Sequence, residues 1–273
     1  MGSLGGPTNP PLGLIVSSMN ICRIPGDVGN THTFGFPVVQ AMAKDSLLVR
    51  MVSDHDYEDG FLDNFIEAGM ELVAQGAVGI ITSCGFLARA QKEFSRRLPV
   101  PVASSSLMQI PSIRSILRPD QAIGVISFDG QRLNEGHLNA VGVTDCSNIY
   151  IAGPPPEGGM KRCLRDGEPY DYPVLEAELV AAARKLVDEH PDIGAIVLEC
   201  TQFPPFALAI QRALGLPVYD VFTLASWFYS GLARVPFPSW TEEEQLDAKA
   251  KRPRAREELL ESSRVEAIFD ISM

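Results

Sequence analysis

The stretch "IITSCGFL", residues 80–87, is an apolar run that stops at a serine and a cysteine and then turns on a glycine. The stretch "IVLECTQF", residues 196–203, repeats the arrangement in the second half of the chain. Each run is followed by a helical pattern, "FLARAQKEFSRRL" after the first and "FALAIQRAL" after the second. Pro101 stands 17 positions after Cys84, and Pro217 stands 17 after Cys200; each opens a further Pro-Val run, "VPVA" and "LPVYD". Both copies therefore read as strand, cysteine, helix, strand, with no gap between them.

The rhythm extends along the chain. Further strands are expected at 12–17, 46–52, 77–82, 122–127, 148–153 and 193–198, with helices over "FLDNFIEAGMELVAQ", "DGQRLNEGHLNAV" and "VLEAELVAAARKLVDEH". Helical segments also follow both Pro-Val strands, "SLMQIPSIRSIL" and "TLASWFYSGL". Continuous apolar strands joined by helices belong to a parallel sheet covered on both faces. The expected fold class is α/β, with two pseudo-symmetric doubly wound parallel-sheet lobes and the active site in the cleft between them. The expected boundaries are a flexible leader at 1–11, a first lobe at 12–104 completed by about 217–238, a second lobe at 105–216, and a charged extension at 239–273. That extension reads as an exposed helix or a partly disordered tail, with "VEAIFDI" as a segment that could dock back. The segment 152–173, rich in Gly and Pro, reads as a lid or as a passive surface loop.

At 273 residues, 45% hydrophobic and 21% charged, the chain can bury a sizeable core without disulfides. A formal net charge of −11 opposes nucleic acid as a partner. No window approaches a membrane span, and the Gly- and Pro-rich beginning lacks the basic and apolar regions of an export signal, so a cytoplasmic location is expected. Five cysteines, an odd number without C-x-x-C spacing, point to reduced thiols rather than to bridges or a zinc site. A homo-oligomer is compatible with the sequence, which leaves the oligomeric state open.

In open α/β sheets ligands bind beyond the carboxyl ends of the strands, where Cys84 and Cys200 both fall. Amides and the positive helix end there favour anions, so each thiol is expected to have a lowered pKa and to serve as a base. Cysteine is also a common small buried hydrophobe at strand ends, and for either residue alone that alternative stays open. Thr82, Ser83, Gly85, Thr201 and Gln202 are small or polar and could cradle a carboxylate, joined by Ser17 and Asn30. In the loop after the first strand, Arg23 and His32 are further candidates; Arg23 reads equally as an exposed arginine, His32 more readily as a surface or loop-stabilising residue, and Asp27 also as turn chemistry. Cys22, Cys146 and Cys163 have no repeat partner and are read as incidental.

"TSCGF" and "ECTQFP", each ending a buried strand in one half of a duplicated chain, resemble the aspartate/glutamate/hydantoin racemase superfamily. "RIPGDVGNTHTFGFPV" is similar to a loop of one branch of it, and the resemblance covers roughly residues 12–235. It implies a cofactor-independent, two-base reaction on a small-molecule carboxylate. One cysteine thiolate removes the α-proton, and the other thiol protonates the opposite face, with the sulfurs roughly 7 Å apart across the substrate carbon. The resulting expectation is an isomerase, a racemase or epimerase of an amino acid or related α-carboxylate. Gln202 stands where glutamate racemases carry a histidine, a departure from glutamate specificity. Three alternatives remain: a decarboxylase or cis-trans isomerase of a small dicarboxylate, a hydantoin racemase, and a binding protein that has kept the cleft.

Overall fold

In the computed structural model, which describes residues 9–234 and 239–250, β1 (Leu12–Ser17) lies between β2 (Val38–Ala43) and β3 (Ile80–Thr82). β4 (Val102–Ala103) lies beyond β3, and all four strands run parallel. The second sheet repeats this order with β5 (Ala122–Ile126) between β6 (Ile149–Ala152) and β7 (Ile193–Leu198), and β8 (Val218–Tyr219) beyond β7. The internal repeat holds at the level of single hydrogen bonds. The Ile80 amide donates to the Pro101 carbonyl over 2.9 Å, and the Ile196 amide donates to Pro217 over the same distance. Strands β3, β5 and β7 are buried at every residue, as parallel strands covered on both faces must be.

Helices α1 (Leu48–Met51), α2 (Asp63–Ala74) and α3 (Gln91–Arg97) belong to the first half of the chain. Helices α4 (Ile110–Ile116), α5 (Glu135–Ala140), α6 (Gly159–Asp166), α7 (Tyr172–Glu189) and α8 (Ala207–Leu214) follow, and α9 (Val221–Leu232) comes after β8. Two of them cross over. α4 follows the first sheet in sequence yet lies against β5. α9 follows the second sheet yet packs Val221, Leu224 and Ala225 into a core with Leu12, Leu14 and Ile81. A Cβ at Gly79 would collide with Leu232 and Phe228, so the glycine sets how closely α9 approaches the strand.

The structure departs from the sequence expectations in three places. Residues 46–52 hold the helical turn α1 rather than a strand, and the fourth strand of the first sheet is β2. β2 is an edge strand paired only with β1 and half exposed, so it lacks the continuous apolar run of its neighbours. The segment 152–173 contains α6, whose first amides, on Gly159 and Met160, donate to the Glu178 carboxylate at 2.6 and 3.1 Å. Among the described residues no helix is long and apolar enough to cross a membrane.

From Arg234 onward the chain forms a separate unit. Its residues 242–250 are helical, and Thr241 and Glu244 cap that helix reciprocally. "VEAIFDI" and most of the charged extension lie outside the described residues, as do residues 1–8 of the expected leader.

Candidate functional site

The strand order places β1 and β3 side by side in one sheet, β5 and β7 in the other, with their connections leaving in different directions. That divergence opens a crevice at the carboxyl ends of the strands. A narrow pocket lies there. Its polar floor is made by Ser83, Cys84, Gly85, Glu199, Cys200, Thr201 and Gln202. Its walls are apolar: Met19 after β1, Leu48, Met51 and Val52 from α1 and its end, Phe86, Phe128 after β5, and Leu164 from α6.

Cys84 and Cys200 thus share one cavity, each at the end of the third strand of its half. Cys84 is extended (φ −149°, ψ 117°) and precedes a short 3₁₀ helix, Gly85–Ala90. Cys200 donates its Sγ–H to Gln202 Oε1 at 3.1 Å, and Gln202 Nε2 donates in turn to Thr201 Oγ1 at 3.0 Å. Both thiols are held protonated. Burial pushes Cys84 up to about 12, and the nearby Glu199 charge adds to it, against donation from the Phe86 and Leu87 amides. Cys200 is raised well above the ordinary range, again by burial first and Glu199 second. The expectation of lowered pKa values is therefore corrected: in the unliganded pocket, desolvation outweighs the amides at the strand ends.

The other expected site residues divide into two groups. Ser83, Gly85, Thr201 and Gln202 line the pocket. Ser17 lies beneath it, where its amide donates to Ser83 Oγ at 2.9 Å. Thr82 turns its hydroxyl to the carbonyls of Ser104 and Cys84, so it braces the strand end rather than facing a ligand. Asn30, Arg23 and His32 are not among the lining residues. Asn30 Nδ2 donates to the Arg23 carbonyl at 2.6 Å and Asn30 Oδ1 accepts from the His32 amide at 2.8 Å, while Arg23 pairs with buried Asp27 at 2.9 Å. Those groups fasten the loop to itself, and the His32 side chain is exposed.

Sequence reasoning passed over Glu199, although its signal was present as an acid ending a wholly apolar strand. It is 1% exposed. Its Oε2 accepts from the Ser127 hydroxyl at 2.8 Å and the Phe128 amide at 3.2 Å. Burial raises its carboxyl to about 7, with the Ser127 and Phe128 donors opposing the shift. Also unforeseen is Tyr57, whose hydroxyl reaches the carbonyls of Met51 and Phe86 at 3.0 and 2.9 Å and so ties two pocket walls together. Among the described residues no cluster of three or more His, Cys, Asp or Glu is placed to hold a metal ion.

Chemically, the pocket can offer one or two sulfur bases to a carbon held between the lobes. No protein-family model matches the chain. It is 31% identical over 229 residues to the dimethylsulfoniopropionate lyase of Durusdinium sp. clade D, covering 82% of this chain and 76% of that protein. It is 26% identical over 238 residues to dimethylsulfoniopropionate lyase 5 of Emiliania huxleyi strain CCMP1516, covering 84% of this chain; the chain spans 47%, about half, of that relative. Among solved structures, unliganded arylmalonate decarboxylase superposes with a TM-score of 0.56 at 16% identity, over 85% of this chain and 95% of the other. Allantoin racemase from Klebsiella pneumoniae gives 0.52 at 15% identity, over 86% and 98%. The two-lobed fold of the racemase superfamily is thereby shown. The expected activity is not: the relatives similar in sequence are lyases, which overturns the reading of an isomerase, racemase or epimerase.

Proposed function

The chain belongs to the family of the dimethylsulfoniopropionate lyases, and on that premise we propose that it is a carbon–sulfur lyase acting on a small β-sulfonio carboxylate. Of the readings weighed from the sequence, the decarboxylase alternative came nearest, since it too breaks a bond to the substrate carbon skeleton.

In this reading one cysteine of the Cys84/Cys200 pair acts as base. Its thiolate takes a proton from the carbon next to the carboxylate, and that C–H pair becomes the new carbon–carbon double bond. The β-carbon–sulfur bond breaks, and the electron pair leaves with sulfur as neutral dimethyl sulfide, so acrylate remains. A neutral sulfide needs no proton on departure. Racemisation must deliver a proton to the opposite face, whereas elimination needs only the base. The second thiol then serves as a hydrogen-bond donor in the pocket, as Cys200 already does toward Gln202. The substrate carboxylate is placed against the amides and hydroxyls around Ser83, Gly85 and Thr201, which stabilise the charge that builds on it as the α-proton leaves.

The observation that carries the proposal is that Cys84 and Cys200, at equivalent strand ends, both line one narrow pocket. All five cysteines are free, which supports work in a reducing compartment such as the cytoplasm. The test is NMR of dimethylsulfoniopropionate incubated with the purified chain. Equal amounts of dimethyl sulfide and acrylate are expected. Unchanged substrate, at enzyme levels where a lyase would consume it, would refute the proposal.

A further inference from the structure

The two halves differ at one position where their geometry is otherwise the same. In the first half the residue before the cysteine is Ser83, whose Oγ accepts the Ser17 amide from the end of β1. In the second half it is Glu199, whose Oε2 accepts the Phe128 amide from beyond the end of β5. A hydroxyl therefore suffices to tie the two strands together, and the carboxylate in the second half exceeds that structural need.

The second oxygen of Glu199 faces the first half of the chain. It lies against Gly85, where an added Cβ would collide with both Oε1 and the Glu199 carbonyl. Glu199 thus sits between the two lobes at the pocket floor. No lysine or arginine lines the pocket, which leaves Glu199 as its one carboxylic acid, beside two protonated thiols. The Lys161 ammonium lies over the Phe128 ring, 4.4 Å from its centre, and is bound to Asp129 at 3.0 Å. Its charge reaches Glu199 and opposes the rise of that carboxyl, but Lys161 does not line the pocket.

A buried carboxylate without a cation is costly, and a thiolate formed beside it more so. A cationic ligand would relieve both. The walls narrow its chemistry. An ammonium group carries three N–H donors that Met19, Met51, Phe86 and Phe128 cannot satisfy, whereas a methylated onium has none and is attracted to aromatic faces. A second carboxylate would add a like charge beside Glu199.

We propose that Glu199 is the counter-ion for the methylated onium group of the ligand, so that the pocket selects carboxylates bearing a sulfonium or quaternary ammonium. The identification of that onium as a sulfonium leaving group rests on the lyase reading; the preference for a methylated cation rests on the pocket itself. On arrival the cation stabilises ionised Glu199 and favours a neighbouring thiolate, so binding also prepares the base.

The test is calorimetric titration of the full chain with two probes of one shape. One is 3-(trimethylammonio)propionate, whose amine is a poor leaving group; the other is its uncharged-tail isostere, 4,4-dimethylpentanoate. The wild type should bind the ammonium probe at least about tenfold more tightly. Glu199→Gln should reduce that ratio to about one while leaving affinity for the isostere within about twofold. Equal affinities in the wild type, no binding of either probe, or a ratio that survives in E199Q would overturn the proposal. The wild-type comparison decides alone if E199Q does not fold. Failure of the lyase reading is separate: it would leave the cation preference intact with no dimethyl sulfide released.

Discussion

Thr201 Oγ1 donates to the Ser83 carbonyl over 2.7 Å, so the residue after one cysteine is bonded to the residue before the other. This buried hydrogen bond ties the two halves together beside the pocket that both cysteines line. Ser106 adds a second tie by donating to the Leu198 carbonyl at 2.7 Å.

Replacing Thr201 by Val keeps the shape and removes the donor. The loss should be about 1 to 3 kcal/mol, because the Ser83 carbonyl is left unsatisfied in the interior. Thermal unfolding should shift down by several degrees and lyase activity should fall, whereas Thr201→Ser should recover both. A Val variant as stable and active as the wild type would remove this bond from the account.

Gly85 is the place where the first lobe touches the backbone of Glu199. Gly85→Ala forces an overlap with a carbonyl rather than with a flexible side chain, at a cost of about 1 to 3 kcal/mol. Activity should be lost while circular dichroism retains the α/β signature.

The raised thiols predict slow chemistry in the resting protein. At neutral pH, iodoacetamide should label exposed Cys22 first and Cys84 and Cys200 far more slowly, as read by peptide mass spectrometry. Labelling of the buried pair should accelerate only well into the alkaline range. Rapid labelling of either at pH 7 would contradict the burial seen in the pocket.

Glu199 makes stability depend on pH. Its carboxyl is raised from 4.5 to about 7 in the folded chain, so the folded state holds a proton that the unfolded chain has already released. That stabilisation is complete below the unfolded value and is lost as pH rises through about 7, a loss of roughly 3 kcal/mol at most. The wild type should lose stability between pH 5 and 8 relative to E199Q, in denaturant titrations at matched pH. Parallel curves would mean that Glu199 is ionised throughout.

How much of this could be read from the residues follows from where the signals lie. The buried strands and the repeated Cys-to-Pro spacing were legible because a parallel strand covered on both faces writes a continuous apolar run. β2 was not, because its edge position leaves it half exposed, and the Leu/Val content of residues 46–52 mimicked a strand. Arg23, Asn30 and His32 stand in the loop that leaves the carboxyl end of β1, but their hydrogen bonds close on their own loop. The reaction itself was the least legible part. Removal of an α-proton by a sulfur base is common to racemisation and elimination, and the two diverge only in what leaves the carbon next door. The pocket walls that could bear on it come from segments distant in sequence, Met19, Met51, Phe128 and Leu164, with Glu199 beside them.

The most direct measurement is headspace detection of dimethyl sulfide from dimethylsulfoniopropionate with the wild type, Cys84→Ser and Cys200→Ser side by side. The account predicts release by the wild type, loss of at least about a thousandfold in the variant that lacks the base, and a smaller deficit in the other. Wild-type rates in both variants, or no dimethyl sulfide from any of the three, would contradict it.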